Sequence, residues 1–320
     1  MAHEIETMFY SGDVPWHGLG TYVGGENVDS ATALQESGLD WAVEKTPLYT
    51  TDGMGGRFPI KSHVAIKRKT DDAILGVVGA KYSPLQNTEA FAFMDTLVED
   101  GSMRYHTAGS LRGGQRVWLL GQIGSNEIVK NDRVDQFIML YNAHDGSSAL
   151  RVLWTEVRVV CANTARMALG ASKASDGVAV RHTRNMQVKV GEAARVLGLA
   201  KEASDRSVAF QRRLAEIKMG TADWLKFIDS LIPDKAEGDG FNTRRENIKG
   251  EITALFEGGI GTDIDGVRGT AWGAYNAITE FTTHHSTVKS HKDGLRFENI
   301  MFGAGADLNS RSVKLLAEYA

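Results

Sequence analysis

Sulfur, proline and long apolar runs are all scarce in this sequence. A single cysteine, Cys161, stands among 320 residues, so no disulfide can close within the chain, and a reducing compartment is expected. Followed by Ala162-Asn163-Thr164, it reads as a small core residue. A catalytic thiolate would need a histidine partner that the sequence does not place. Only five prolines occur, and without a low-complexity tract no long disordered linker is expected. No apolar run approaches the roughly 20 residues that span a bilayer. The opening MAHEIETMF has neither the basic nor the apolar region of a signal peptide, so a cytoplasmic protein is expected. Phosphate cradles are missing too: there is no GxxxxGK[ST], no dinucleotide fingerprint and no nucleophile elbow. Gly18-x-Gly20 and Gly259-x-Gly261 lack the strand-to-helix context that would make them phosphate-binding turns. No nucleotide cofactor is expected, and the absence of a Walker motif argues against ATP-driven strand exchange.

What is present is an uneven distribution of charge. The whole chain has a net charge of −4, a weak argument against nucleic acid. Residues 1–56, however, hold nine acids and one base, Lys45, whereas residues 101–191 hold twelve bases and six acids. A basic middle behind an acidic front is a recognised hint of polyanion binding. The competing explanation is that strand arginines snorkel at sheet edges. Residues 101–126 contain no acid and carry Arg104, His106, Arg112 and Arg116.

The pattern of apolar residues predicts an α+β fold: an antiparallel β-meander packed with helices, followed by a mainly helical C-terminal region. The organisation divides near residue 185, into an α+β core over 1–185 and a helical region over 186–320. A short helix is expected over Asp29 to Gly38, with Ser30 as its cap. Pro59 to Arg68 and Ala73 to Val78 read as paired strands around the Lys69-Thr70-Asp71-Asp72 turn. Asn87 caps a helix running to Asp100, in which Phe91, Met94, Leu97 and Val98 recur at helical spacing. Met103 to Ser110 and Gln115 to Ile123 form a hairpin around Leu111-Arg112-Gly113-Gly114. Helices are expected at about 186–217, 221–231, 242–257, 267–283 and 309–319.

The densest stretch is residues 134–169. Val134 to Tyr141 and Ala149 to Val160 are β-rich runs. Asn142-Ala143-His144-Asp145-Gly146-Ser147-Ser148 between them tolerates the positive φ of a chain reversal. Ala162-Asn163-Thr164 then offers N-cap chemistry for a helix to Leu169. Arginines punctuate this unit, which suggests an anion to meet. The candidate nucleic-acid contacts are Arg112, Arg116 and Trp118 on the hairpin, Arg151 and Arg158 on the last strand, Arg166 in the helix, and Lys173, Arg181 and Arg184 beyond it. Arginines would neutralise phosphates while the tryptophan offers a π face. Arg151 and Arg158 fall on opposite faces of a regular strand, and Glu156, on the face of Arg158, is an alternative partner for it. Lys67-Arg68-Lys69 adds a further basic cluster.

Catalytic and metal constellations are thinner. His144-Asp145 has the composition of an acid–base pair, although a turn that simply needs Asp-Gly accounts for the same residues. His284, His285 and His291 match no zinc spacing, and no metal is expected.

Tyr141-Asn142-x-His144-Asp145-Gly146-Ser147-Ser148, with Val157-Arg158-Val159-Val160-Cys161-x-Asn163-Thr164, resembles a family of uncharacterised phage- and plasmid-like proteins. Trp16-His17-Gly18-Leu19-Gly20 and Trp272-x-x-x-Asn276-Ala277-x-Thr279-Glu280 look like its terminal signatures. A second resemblance rests on element order. A strand meander feeding a helix among basic residues looks like the core of annealing proteins related to the eukaryotic recombination mediator. What these resemblances imply is a cytoplasmic protein of a bacterial host that binds single-stranded DNA and anneals complementary strands in phage-type recombination. It would be a homo-oligomer, a ring being one form, with no nucleotide hydrolysis and no membrane partner. The alternative expectation is a metal-dependent nuclease or other phosphoryl-transfer enzyme using His144, Asp145 and nearby carboxylates.

Overall fold

The computed structural model describes residues 5–12, 19–24, 28–99, 101–158, 163–165, 178–182, 193–234, 243–287 and 294–319. The chain forms two compact units. The first comprises Met1–Ile123, Ile138–Leu153 and Gly177–Ala200, and the second Gly124–Phe137, Trp154–Asp176 and Lys201–Ala320.

The strands are β1 (Ile5–Tyr10), β2 (Thr21–Tyr22), β3 (Val43–Thr51), β4 (Arg57–Arg68), β5 (Ile74–Gly79), β6 (Arg104–Leu111), β7 (Arg116–Val129), β8 (Asp132–Ala143), β9 (Leu150–Arg158), β10 (Asn163–Ala165) and β11 (Val178–Val180). Eight of them form one sheet, ordered β10-β9-β8-β7-β6-β1-β2, with β11 also on β9; β3, β4 and β5 form a second sheet. β6 to β9 are consecutive neighbours joined by short turns, a connection that only antiparallel strands allow. The meander is therefore as the alternation predicts. Lys130-Asn131 makes the turn between β7 and β8, with Asn131 at φ 67°, a left-handed conformation that asparagine tolerates.

Two helices belong to the first unit alone. The first, α1 (Ser30–Glu36), is capped by Asp29 rather than Ser30: Asp29 Oδ1 accepts from Thr32 N at 2.7 Å, and Ser30 is already helical. The second, α2 (Asn87–Glu99), buries Phe91, Met94 and Leu97, the spacing read from the sequence. Asn87 is the first helical residue, and its side chain is engaged elsewhere: its amide donates to Leu39 O and Trp41 O, and its Oδ1 accepts from His144 Nε2. Glu89 instead reaches back to accept from Gln86 N at 2.8 Å.

The expected helix at 162–169 meets one clear correction. Asn163–Ala165 is a strand, paired antiparallel with Arg158, Val157 and Glu156 of β9; the rest of that segment lies outside the described residues. An open strand edge offers a row of main-chain partners, and pairing back onto β9, only a few residues upstream, outweighs the N-cap chemistry of Asn163.

Beyond residue 190 every element among the described residues is helical: α3 (Ala193–Glu216), α4 (Thr221–Leu231), α5 (Thr243–Gly258), α6 (Ala271–Glu280), α7 (Gly294–Phe302) and α8 (Ala304–Leu316). The helix expected from residue 267 starts only at Ala271, because Gly266 and Gly269 adopt positive φ in the preceding turn. It continues into a π-helical turn, Phe281–His285. α7 is not among the sequence expectations. The core of the second unit includes Trp272, Tyr275, Phe227 and Ile252, with Trp224 stacked on Phe256 at 4.1 Å. Among the described residues no helix is long and apolar enough to cross a membrane.

Candidate nucleic-acid interface

Among the arginines singled out from the sequence, Arg116 and Arg158 are buried and paired within the protein. Arg116 is 5% exposed and forms an ion pair with Asp145. Burial works to raise the Asp145 carboxyl, but Arg116 and hydrogen bonds from Ser147 outweigh it and hold the carboxyl below its ordinary range. Arg112 is half-buried in the hairpin turn at φ 55°. That turn is not a free tip, since a Cβ on Gly114 would lie 2.9 Å from Arg68 Nη1 and 3.2 Å from the Trp41 ring. Trp118 is a core residue lying across its strand partner Gly109, with no ring face open to a base.

Arg158 is enclosed in the second unit. Its Nε and Nη2 donate to Asp132 Oδ1 and Oδ2 at 2.7 and 2.9 Å, and it also donates to Ile260 O and Gly261 O. Trp272 Nε1 donates to the same Asp132 carboxylate at 2.7 Å. Glu156 is therefore not the partner of Arg158; it accepts from Ser207 Oγ and Gln211 Nε2. Arg151 is half-buried, with Nε on Ser148 Oγ at 3.3 Å, and Arg181 is exposed. Arg166, Lys173 and Arg184 lie outside the described residues. In the Lys67-Arg68-Lys69 cluster, Lys67 pairs with Glu44 and Asp72, and Arg68 with Glu6 and Asp71, so two of its three charges are already neutralised.

The His144-Asp145 turn serves packing. The Asn87 amide is oriented by its two carbonyl partners, so its Oδ1 accepts from His144 Nε2 at 3.1 Å. His144 is fully buried, and burial, aided by nearby His182, pushes its pKa down to about 3. A general acid or base needs a pKa near the working pH and access to substrate; His144 has neither. A Cβ on Gly76 would fall 2.5 Å from Asp145 Cα, which shows how tightly β5 packs on this turn. Among the described residues no group of three or more His, Cys, Asp or Glu can hold a metal ion.

The exposed chemistry lies elsewhere, on β3 and β4. Arg57 to His63 are seven consecutive exposed residues in one strand. Since neighbouring side chains alternate between faces, that end of the ribbon is bare on both sides. Its register pairs Tyr49 with Pro59 and Thr51 with Arg57, while Leu48 pairs with Ile60 and Thr50 with Phe58. Directly paired residues share a face. One face thus carries Tyr49 and Arg57, with the guanidinium 4.7 Å from the ring centroid; the other carries Leu48, Phe58 and Ile60. A bulge leaves Lys61, Ser62 and His63 without a β3 partner, and bulges re-aim side chains. Asp52, the one acid between Lys45 and His63, is used at the tip, where its Oδ1 accepts from Met54 N and Gly56 N. The ribbon therefore presents cations and an aromatic ring with no free carboxylate between them. A signal for it was available: Asp52-Gly53 and Gly55-Gly56 between β-rich runs are hairpin chemistry.

A family model described as a domain of unknown function, DUF932, matches residues 74–300. The chain belongs to the DUF932 family. The matched segment contains the buried Arg116–Asp145 and Arg158–Asp132 pairs, whereas the β3–β4 ribbon precedes the DUF932 match. No match was found among curated proteins or among solved structures.

Proposed function

We propose that this member of the DUF932 family binds single-stranded DNA and anneals complementary strands in phage-type recombination, as a homo-oligomer and without nucleotide hydrolysis. The observation that carries the reading is the Tyr49–Arg57 face of the ribbon, with Lys61 beside it. Aromatic rings stack bases without regard to sequence, and cations track the backbone. Both contacts leave the Watson–Crick edges of the bases free, and annealing needs those edges to test a second strand. Lining up several ribbons on one DNA strand makes each contact after the first effectively intramolecular. The ribbon takes the place of Arg116 and Arg158, which spend their charge on internal carboxylates.

The test is oligo(dT) binding by fluorescence anisotropy at several salt concentrations, together with the rate at which complementary oligonucleotides pair. Tyr49→Ala should weaken binding by roughly 5- to 150-fold, from a loss of about 1–3 kcal/mol per stacked base. Arg57→Ala and Lys61→Ala should each lower the salt slope by about 0.7. If all three variants bind as the wild type does, the ribbon is not the interface. If the wild type neither binds oligo(dT) at low salt nor accelerates pairing, the reading fails.

A further inference from the structure

The two faces of the ribbon differ in chemistry. The face opposite Tyr49 and Arg57 carries Leu48, Thr50, Phe58 and Ile60 and no charge. Phe58 is 52% exposed and Ile60 38%. Such a surface has no cation for a phosphate, so the DNA-binding reading gives it no role. A second bare apolar patch lies on β5, where Ile74 is 53% and Val77 55% exposed. β5 is an edge of its three-stranded sheet, so its outer main-chain groups are available for pairing, and no charged residue falls between Ile74 and Gly79. Of the ten large apolar side chains exposed among the described residues, Tyr49, Met54, Phe58, Ile60, Ile74 and Val77 all belong to this one sheet and its tip. Soluble proteins rarely concentrate exposed apolar groups in this way unless something covers them.

We infer that the Phe58–Ile60 face of the ribbon docks on the Ile74–Val77 edge of a second copy of this chain, joining copies head to tail. Within one copy the two patches stay apart: β5 pairs with β4 only over His63 to Lys67, whereas the ribbon's paired end ends at Ile60. Each copy thus carries one apolar projection and one edge strand with bare Ile74 and Val77, Ile74 lying beside a Lys67 whose charge is taken by Glu44 and Asp72, and a neighbour supplies the complement of each. A two-stranded ribbon alone in water is marginally stable, which favours an arrangement that covers it. Contact between two different patches is heterologous, and repetition of it builds a ring or a filament. The inference rests on the self-assembly part of the proposed function; it leaves the Tyr49–Arg57 face open to DNA.

The test is light scattering on the full chain, with and without oligo(dT), across a dilution series. Two variants are needed, Phe58→Ser/Ile60→Thr on the ribbon and Ile74→Thr/Val77→Thr on the edge, with circular dichroism to show that both fold. The wild type should be larger than the 34.8 kDa monomer, and each variant alone should be monomeric. A mixture of the two should form dimers, because one intact ribbon then meets one intact edge. A wild type that stays monomeric, free and with DNA, overturns self-assembly altogether. An oligomeric wild type with equally oligomeric variants keeps self-assembly and overturns this contact, as does a mixture that fails to pair. If the ribbon variant keeps its mass but loses oligo(dT) affinity, the apolar face takes DNA and the inference is wrong.

Discussion

Glu156 is fully enclosed in the second unit, and its partners are two neutral donors, Ser207 and Gln211 of α3. Burial lifts its pKa from an ordinary 4.5 to about 7, against the pull of those two hydrogen bonds. A carboxyl whose folded pKa is raised favours the folded state fully below its unfolded pKa. That contribution is lost as pH rises through the folded pKa. Here the window runs from about pH 4.5 to above pH 7. A shift of roughly 2.5 units corresponds to about 3 kcal/mol at most. Glu156→Gln removes the ionisation while keeping the shape, and the new amide has an acceptor to hand, because Gln211 Oε1 has no hydrogen-bond partner among the described residues.

His144 acts in the opposite direction over part of the same range. Its lowered pKa gives stability that is present above pH 6.5 and lost as pH falls toward 3. Total stability against pH therefore mixes the two groups, and the quantity to measure is the difference between the variant and the wild type. Urea unfolding followed by tryptophan fluorescence at half-unit steps should show the variant gaining on the wild type by about 3 kcal/mol between pH 4.5 and 8, with the steepest change at about pH 5–6.5, midway between the unfolded and folded pKa values. A difference that stays constant across that range would refute the reasoning, since Glu156 would then ionise as an ordinary surface carboxyl does.

Two further outcomes follow from the packing. Asp132→Asn removes the carboxylate that accepts from both Nε and Nη2 of buried Arg158 and should cost about 3–5 kcal/mol of unfolding free energy, measured by the same urea titration. Gly109→Ala places a methyl group against Thr7 O and 2.6 Å from both Met8 Cβ and Trp118 Cη2. It should destabilise by about 1–3 kcal/mol, seen as a lower melting temperature with the secondary structure unchanged.

The elements that the sequence located are those fixed by local rules. α2 shows itself because Phe91, Met94 and Leu97 repeat at helical spacing, and all three are buried. The β6–β9 meander shows itself because β-rich runs alternate with turn residues, and Gly113, Gly114, Asn131 and Gly146 do take positive φ. What stayed hidden depends on context beyond local chemistry. Asn163–Ala165 has the local chemistry of a helix start, yet it turns back onto the edge of β9 five to nine residues upstream. The late signature Trp272-x-x-x-Asn276 gives no hint that Trp272 hydrogen-bonds Asp132, 140 residues away.

Net charge by segment does not locate a surface, for a related reason: the residues of one segment divide between core and solvent. The excess of bases over residues 101–191 includes Arg116 and Arg158, each enclosed with an acid from the same segment, Asp145 and Asp132. A buried arginine needs such a partner, because an unpaired charge in the interior costs several kcal/mol. The acidic tally of residues 1–56 is misleading in the opposite sense. Glu6 and Glu44 are used on Arg68 and Lys67, and Asp29 and Asp52 accept main-chain hydrogen bonds at a helix start and a turn. What this front of the chain offers to solvent at the ribbon is Tyr49, joined by Arg57 from the next strand. The accessible cation and ring therefore come from the boundary between an acidic and a neutral segment, where the strand register pairs them across a turn.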